Sequence, residues 1–299
     1  MNDLRMVDTS DPAAVCREVR QVYSALYGED DGFVSRAFDW FVEAFGGGYR
    51  DYQAVDMAYH DREHTMQGTL CFARLIRCRQ ETGANPQIPE KFFRLGLLSI
   101  LLHDSGYLKH ADDTSGTGAK YTLDHVDRSR AFAGQMLTDH GFGAEDVTKV
   151  QRMISCTGLN VDLDSIDFQT RLEKIVGLSV ATSDLLGQMA ARDYVDRLAD
   201  LYKEFTECWE HAGARAESLH YENVASLLEK TPAFWQNYVK HKLDTECLGL
   251  YKFLNHPHPD GPNDYLMHIE ANIDRVREIN DRRHSAKLTN LQKSASYCY

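Results

Sequence analysis

The chain has 299 residues, enough for one large domain or two small ones, and its 43 % hydrophobic and 26 % charged residues are ordinary for a globular protein. A formal net charge of −12 argues against general nucleic-acid binding, which needs a basic surface. The N-terminus does not resemble a signal peptide, and no apolar run reaches the roughly 18 residues of a membrane span. Seven cysteines without a CxxC pair predict reduced thiols. We therefore expect a cytoplasmic protein without a membrane or nucleic-acid polymer as partner.

Along the chain, apolar residues recur mostly at helical spacing, and the alternation typical of strands is scarce. This pattern predicts helices over residues 36–45, 64–80, 90–104, 122–140, 144–156, 167–191, 193–211, 216–229, 232–254 and 264–283. Loops rich in glycine or proline are predicted at 111–119 and 255–264, and the tail from 284 is expected to fray. Because no repeat or low-complexity linker interrupts the pattern, the sequence favours one all-α domain.

The fourth predicted helix ends in an unusual way. Its apolar run, which includes Leu101 and Leu102, is followed directly by His103 and Asp104 and then by Ser-Gly. A lone His-Asp pair is ordinarily a helix end followed by a turn. Two further features of the chain favour a functional interpretation of this pair.

The first feature is the segment YHDREH, in which His60 and His64 are four residues apart and share one face of a helix. The second is Asp184, which lies in the strongly apolar segment IVGLSVATSDLL. A buried ionised carboxylate costs several kcal/mol unless it is paired or bound to a metal. Two imidazoles and two carboxylates suit Zn, Mn, Fe or Mg, and Asp104 has two oxygens with which to bridge two ions.

The order of these motifs resembles the HD-domain superfamily of metal-dependent phosphohydrolases, which are all-helical. YHDREHT, LLHDSGY and VATSDLLGQM are similar to the corresponding motifs of the 3′,5′-cyclic nucleotide phosphodiesterase catalytic domain. The resemblance implies a single compact HD-domain helical bundle with additional C-terminal helices. It implies that His64, His103, Asp104 and Asp184 are metal ligands, and that His60 donates a proton to the leaving oxygen.

On this basis the chain divides into an N-terminal helical extension (1–50), an HD metal-binding core (51–192) and a C-terminal helical region of the same domain (193–299). The roles of the first region (1–50) and the last region (193–299) beyond helical packing are open, and a pocket wall or a homodimer face is a candidate for each.

The chain also departs from the phosphodiesterase pattern. Tyr107 stands where that family has another histidine four residues after the first of the pair. In broader HD families a histidine follows the pair by about 20 to 30 residues, and His125 is a candidate fifth ligand for a second ion. At Cys156, where those families often carry a further histidine, a buried inert thiol is favoured over a thiolate ligand.

The loop DDTSGTGAKYT, residues 112–122, follows the proposed ligands and runs into a predicted helix. Its backbone amides are candidates for cradling a phosphate, with Lys120 and Arg128 as cationic contacts and Tyr107 as a third substrate contact. The alternatives are that the loop is a solvated connector and that Arg128 is an ordinary surface arginine.

Together these features predict hydrolysis of a phosphate ester, with a phosphodiester such as a cyclic nucleotide as the first candidate, by water activated on one or two divalent ions (Mn, Mg, Zn or Fe). The expected partner is a small phosphorylated substrate of the nucleotide type. The alternatives are a nucleotide phosphomonoesterase, a di-iron oxygenase and a non-catalytic metal- or ligand-binding protein.

Overall fold

The fold, obtained as a computed structural model, is all-α and describes residues 7–158 and 161–296. Within those residues no β-strand occurs, and a single isolated bridge pairs Tyr52 with His110. The α-helices, in chain order, are α1 (Pro12–Tyr27), α2 (Phe33–Phe45), α3 (Arg62–Glu81), α4 (Glu90–Leu102), α5 (His125–Asp139), α6 (Ala144–Ser155), α7 (Arg171–Met189), α8 (Tyr194–Ala212), α9 (Val224–Phe234), α10 (Lys240–Asp244) and α11 (Asp264–Ser296).

Helices α3 and α7 form the centre of the molecule, and each is buried over most of its length. They cross closely at glycines: a methyl group on Gly187 would lie 2.7 Å from the backbone nitrogen of Gly68. On one side, apolar side chains of α1, α2, α4, α5 and α6 pack into one core cluster with α3 and α7. On the other side, α8, α9 and α11 form a second cluster with the C-terminal end of α7. Residues 7–50 therefore share a core with the proposed metal-binding region.

Two N-terminal caps set where the central helices begin. The Asp61 side chain accepts a hydrogen bond from the backbone N–H of His64 at 2.9 Å, and the Thr170 hydroxyl does the same for Glu173 at 3.1 Å. Such caps satisfy backbone donors that have no partner within the helix. The Asp61 cap also fixes His64 in the first turn of α3.

The C-terminal part differs from the predicted elements in three places. The predicted helix over 216–229 is a 3₁₀ segment at Gly213–Leu219 followed by α9 from Val224. The predicted helix over 232–254 is divided into the end of α9, a π-turn at Trp235–Val239, α10 and a 3₁₀-turn at Leu250–Leu254. Leu248 and Gly249 both have positive φ, at 57° and 64°, and this left-handed backbone separates α10 from the 3₁₀-turn. The tail predicted to fray instead continues α11 to Ser296, and its last three residues lie outside the described part of the chain.

Two further expectations concern the described residues as a whole. None of the helices in this part of the chain has the length and hydropathy needed to cross a bilayer. The six cysteines within it are free thiols, as predicted, and Cys156 is fully buried. Burial raises the pKa of the Cys156 thiol far above its usual range, which favours a neutral thiol, and its Sγ lies 3.6 Å from the backbone oxygen of Arg152.

Candidate metal centre

Three helices bring the four predicted metal ligands to one point. His64 lies in the first turn of α3, His103 and Asp104 directly follow the last residue of α4, and Asp184 lies in the second half of α7. Because α3 and α7 cross closely at Gly68 and Gly187, His64 and Asp184 lie side by side. All four side chains are at least nine-tenths buried.

The ligand atoms lie at the spacing expected around a single ion. His64 Nε2 is 3.1 Å from Asp104 Oδ2 and 3.3 Å from Asp184 Oδ1. His103 Nε2 is 3.3 Å from each of the same two oxygens. Ligands at about 2.1 Å from a metal are about 3.0 Å apart at right angles and about 3.4 Å apart at tetrahedral angles. His64, His103 and Asp104 each offer a ligand atom, and these three atoms lie within 4.8 Å of one another.

The contacts among these atoms are not all hydrogen bonds. His103 Nε2 and Asp104 Oδ2 are buried, and neither has a hydrogen-bond partner. Buried polar atoms normally have a hydrogen-bond partner. The convergence of two such atoms without a partner indicates that a bound group is missing between them. The other ring nitrogen of His103, Nδ1, lies 2.8 Å from the backbone oxygen of Ile100, which leaves the Nε2 lone pair directed at the cluster.

Electrostatics also fit a cation. Burial disfavours charge on all four groups, but the two carboxylates raise the pKa of His64 to about 10 and raise that of His103 as well. The same contacts with His103 and His64 hold the pKa values of Asp104 and Asp184 well below their usual range. The carboxylates thus stay ionised in the interior, where their negative charge is balanced either by protonated His64 and His103 or by a bound cation that takes the place of those protons.

Asp184 is supported by a second set of hydrogen bonds. The Gln188 amide nitrogen lies 3.3 Å from Asp184 Oδ1, and the Tyr59 hydroxyl donates to Gln188 Oε1 at 3.1 Å. Neither residue was predicted from the sequence, although Gln188 follows Asp184 by one helical turn. Such outer contacts orient a ligand and are typical of metal sites.

His60 lies beside the cluster and is held by a residue that sequence reasoning missed. Its Nδ1 is 2.6 Å from Oε2 of Glu204, a buried residue of α8, and Glu204 Oε1 accepts the backbone N–H of Tyr59 at 2.6 Å. In the sequence, Glu204 could have been noticed only as a carboxylate on the buried face of an amphipathic helix. Its spacing does not connect it to His60, which lies 144 residues earlier.

His125 and Tyr107 form the other edge of the site. His125 Nε2 lies 3.8 Å from Asp104 Oδ1, the oxygen that does not face His64 and His103, while its Nδ1 is 2.6 Å from the Thr122 backbone oxygen. The Tyr107 ring is stacked between His125 and His60, with centroid separations of 4.6 and 4.9 Å. Tyr107 is 1 % exposed, so it supports the two imidazoles from within.

Lys120 and Arg128 lie nearby, but their charged groups contact other protein groups. Lys120 Nζ pairs with Asp113 and donates to the backbone oxygen of Ser115, so it holds the 112–122 loop together. Arg128 donates to the backbone oxygens of Gly106 and Leu108 and stacks on Tyr121. These bonds favour a structural role, and neither residue enters the proposal below.

The cluster is most accessible from the side of His60 and His125. Their side chains are 15 % and 18 % exposed, whereas the four converging ligands are 1 % to 9 % exposed. On the opposite side a small cavity reaches His64, and its other lining residues come from the segments around Tyr59, Gln188 and Arg197. A substrate would therefore approach past the two outer histidines.

A family model described as Npun_R2479-like matches residues 111–251, which is less than half of the chain. That description states no activity, and the matched segment contains His125, Asp184 and Glu204 but begins after His103 and Asp104. A comparison with curated proteins gave no match.

Proposed function

We propose that this chain is a metal-dependent phosphohydrolase of the HD type that cleaves a phosphate ester, with a phosphodiester as the first candidate substrate. The observation that carries the proposal is the convergence of two imidazole nitrogens and two carboxylate oxygens at 3.1 to 3.3 Å, two of these atoms having no hydrogen-bond partner. A divalent ion held there would supply an activated water at neutral pH and would neutralise charge on the phosphoryl group.

Each protein group then has a defined task. His64, His103, Asp104 and Asp184 hold the ion, and His125 with the second oxygen of Asp104 offers two ligands for another. His60 donates a proton from Nε2 to the departing oxygen, because its Nδ1 is engaged by Glu204. Glu204 stabilises the protonated imidazole and fixes its orientation, and Tyr107 holds the ring plane.

The arrangement gives less support to the di-iron oxygenase alternative. Among the described residues, His125 and the second oxygen of Asp104 are the side-chain groups that we can assign to a second ion, and Cys156 is an unsuitable ligand. A phosphomonoesterase would use the same centre, so only its substrate range separates it from a phosphodiesterase. A non-catalytic metal-binding protein would have no need of the His60–Glu204 pair.

The test is an activity panel on purified protein loaded with Mn²⁺, Mg²⁺, Zn²⁺ or Fe²⁺. The substrates are a synthetic phosphodiester, a synthetic phosphomonoester, and cyclic and linear nucleotides, with metal content measured in parallel. We expect Asp104→Ala to lose both metal and turnover, and His60→Ala to keep the metal but turn over about 100-fold or more slowly. His241→Ala, a change at an exposed histidine of α10, is the matched control and should behave as the parent.

The outcomes separate the alternatives. Diester hydrolysis that is lost in Asp104→Ala supports the proposal, and hydrolysis of monoesters alone moves the assignment to a phosphomonoesterase. Metal-dependent turnover retained in Asp104→Ala would refute the site. Bound iron with oxygen uptake and no hydrolysis would favour the oxygenase, and protein that binds no metal would leave a binding role.

A further inference from the structure

Arg79, in the last turn of α3, is a buried cation without a carboxylate partner. The residue is 2 % exposed, and its Nε and Nη1 atoms have no hydrogen-bond partner. In the described part of the chain no Asp or Glu forms an ion pair with it, although the protein as a whole carries an excess of acidic residues. Arginine is almost never fully buried unless it is paired, so this side chain calls for an explanation.

The surroundings of Arg79 are aromatic and cationic. Its guanidinium carbon lies 5.7 Å from the centroid of the Phe253 ring, and that ring stacks on His258 of the proline-rich loop at 5.1 Å. The other neighbouring charge is Arg171, the exposed first residue of α7. Burial first, and the positive charge of Arg171 second, lower the pKa of Arg79 below its ordinary value.

Features within the fold compensate the buried charge only in part. The carbonyl groups at the C-terminal end of α3 carry a partial negative charge, and the face of Phe253 attracts a cation. The N-terminal end of α7, where Arg171 lies, has a partial charge of the opposite sign. Arg171 itself has no ion pair or hydrogen bond from its guanidinium to another described residue. The positive charge of Arg171 thus acts on the buried Arg79 guanidinium, and no ion pair with a described Asp or Glu balances either of them.

We propose that Arg79 and Arg171 bind a small oxyanion of the phosphate class between the C-terminal turn of α3, the first turn of α7 and the Leu250–Leu254 turn. The planar guanidinium group matches the oxygens of phosphate and can bind two of them at once. A doubly charged anion would balance the two cations. The ligand is either free phosphate or the phosphate group of a larger molecule, and the chemistry of recognition is the same for both.

This site is separate from the proposed metal centre. Arg79 follows His64 by fifteen residues on the same helix, which corresponds to about 22 Å along its axis. The inference therefore goes beyond the proposed hydrolytic function and does not depend on it. EDTA in every sample removes divalent ions, so that phosphate binding at the metal centre does not contribute to the measurement.

The experiment measures thermal unfolding and calorimetric binding of the full chain with inorganic phosphate, against chloride at matched ionic strength. We expect the unfolding midpoint of the parent protein to rise by about 4 °C at a phosphate concentration of about one hundred times the Kd. Arg79→Met should lose this rise, and in phosphate-free buffer it should unfold at the same temperature as the parent or higher, because it removes an unpaired buried charge. Arg77→Met, at a partly exposed arginine of the same helix that pairs with Glu81, is the matched control and should keep the rise.

Arg171→Met tests the second cation at an exposed position, where folding is not at risk, and should weaken phosphate binding about tenfold. If Arg79→Met does not fold, this variant decides the question. An unfolding midpoint that does not respond to phosphate in the parent, or that responds equally in Arg79→Met or Arg171→Met, would overturn the proposal. A nucleoside 5′-monophosphate used as a second probe separates the two ligand sources: its binding indicates the phosphate group of a larger molecule, and its exclusion indicates the free ion.

Discussion

Replacement of Glu204 by Gln tests the proposed proton donor most directly. The Glu204 carboxylate accepts the backbone N–H of Tyr59 and contacts His60 Nδ1, both at 2.6 Å. A glutamine oxygen can still accept the backbone N–H, so the change should leave the fold intact. Its NH₂ group, however, would face His60 Nδ1, which must then accept instead of donate. The protonated form of His60 would lose its counter-charge.

The magnitude follows from the bond that is lost. A hydrogen bond to a charged group contributes about 1.5 to 3 kcal/mol, and about 1.4 kcal/mol corresponds to a factor of ten in rate. If this stabilisation acts in the transition state, kcat should fall by about 10-fold to 150-fold. KM and metal content should stay close to those of the parent, because the metal ligands are untouched.

The assay compares two phosphodiesters that differ in their leaving groups. An alkyl or nucleoside leaving group needs a proton from His60, whereas a nitrophenolate leaves without one. We therefore expect Glu204→Gln to slow the first substrate strongly and the second only slightly, and His60→Ala to show the same selectivity. An equal loss on both substrates, or a loss of bound metal, would show that Glu204 does not act through proton donation.

Two further predictions concern the fold around the site. Gly187→Ala should lower the free energy of unfolding by about 1 to 3 kcal/mol in denaturant titration and weaken metal binding, because its methyl group would lie 2.7 Å from the α3 backbone. Gly134→Ala is its control, because the added methyl group would meet only side chains, the end of Gln151 and, at 3.8 Å, Val147, and it should cost less than Gly187→Ala. Equal effects of the two changes would contradict the close crossing. Asp113→Asn addresses pH, because hydrogen bonds from Lys120 and Tyr121 hold the pKa of Asp113 well below its usual range. The stabilisation is therefore complete above the unfolded-state pKa of about 3.9 and is lost as the pH falls toward the folded-state value. After allowance for solvent screening, the variant should be about 1 kcal/mol less stable at neutral pH and nearly equal to the parent in strong acid; a difference that grows on acidification would refute this.

The all-α class and most helices of the central region were predictable from the sequence alone. Helical periodicity is a local property, so the spacing of apolar residues indicated α3 to α8 without knowledge of the fold. The same locality placed His103 with Asp104 at the end of an apolar helix. The expected helical pairing of His60 with His64 was wrong, because α3 begins at Arg62 and His60 precedes its N-cap, Asp61. The cost of burying Asp184 in an apolar segment then predicted that it needs a partner.

The tertiary structure decided everything that depends on which surfaces meet. Glu204 reaches His60 across 144 residues, and the placement of Tyr107 between two imidazoles follows from the packing of separate elements. Lys120 and Arg128 were predicted as anion contacts, but the fold supplies internal partners for both. Arg79 is the reverse case: on a sequence it is one arginine at a helix end, and only packing against Phe253 leaves it buried and unpaired. Burial and pairing are long-range properties, and a linear pattern of residue types does not contain them.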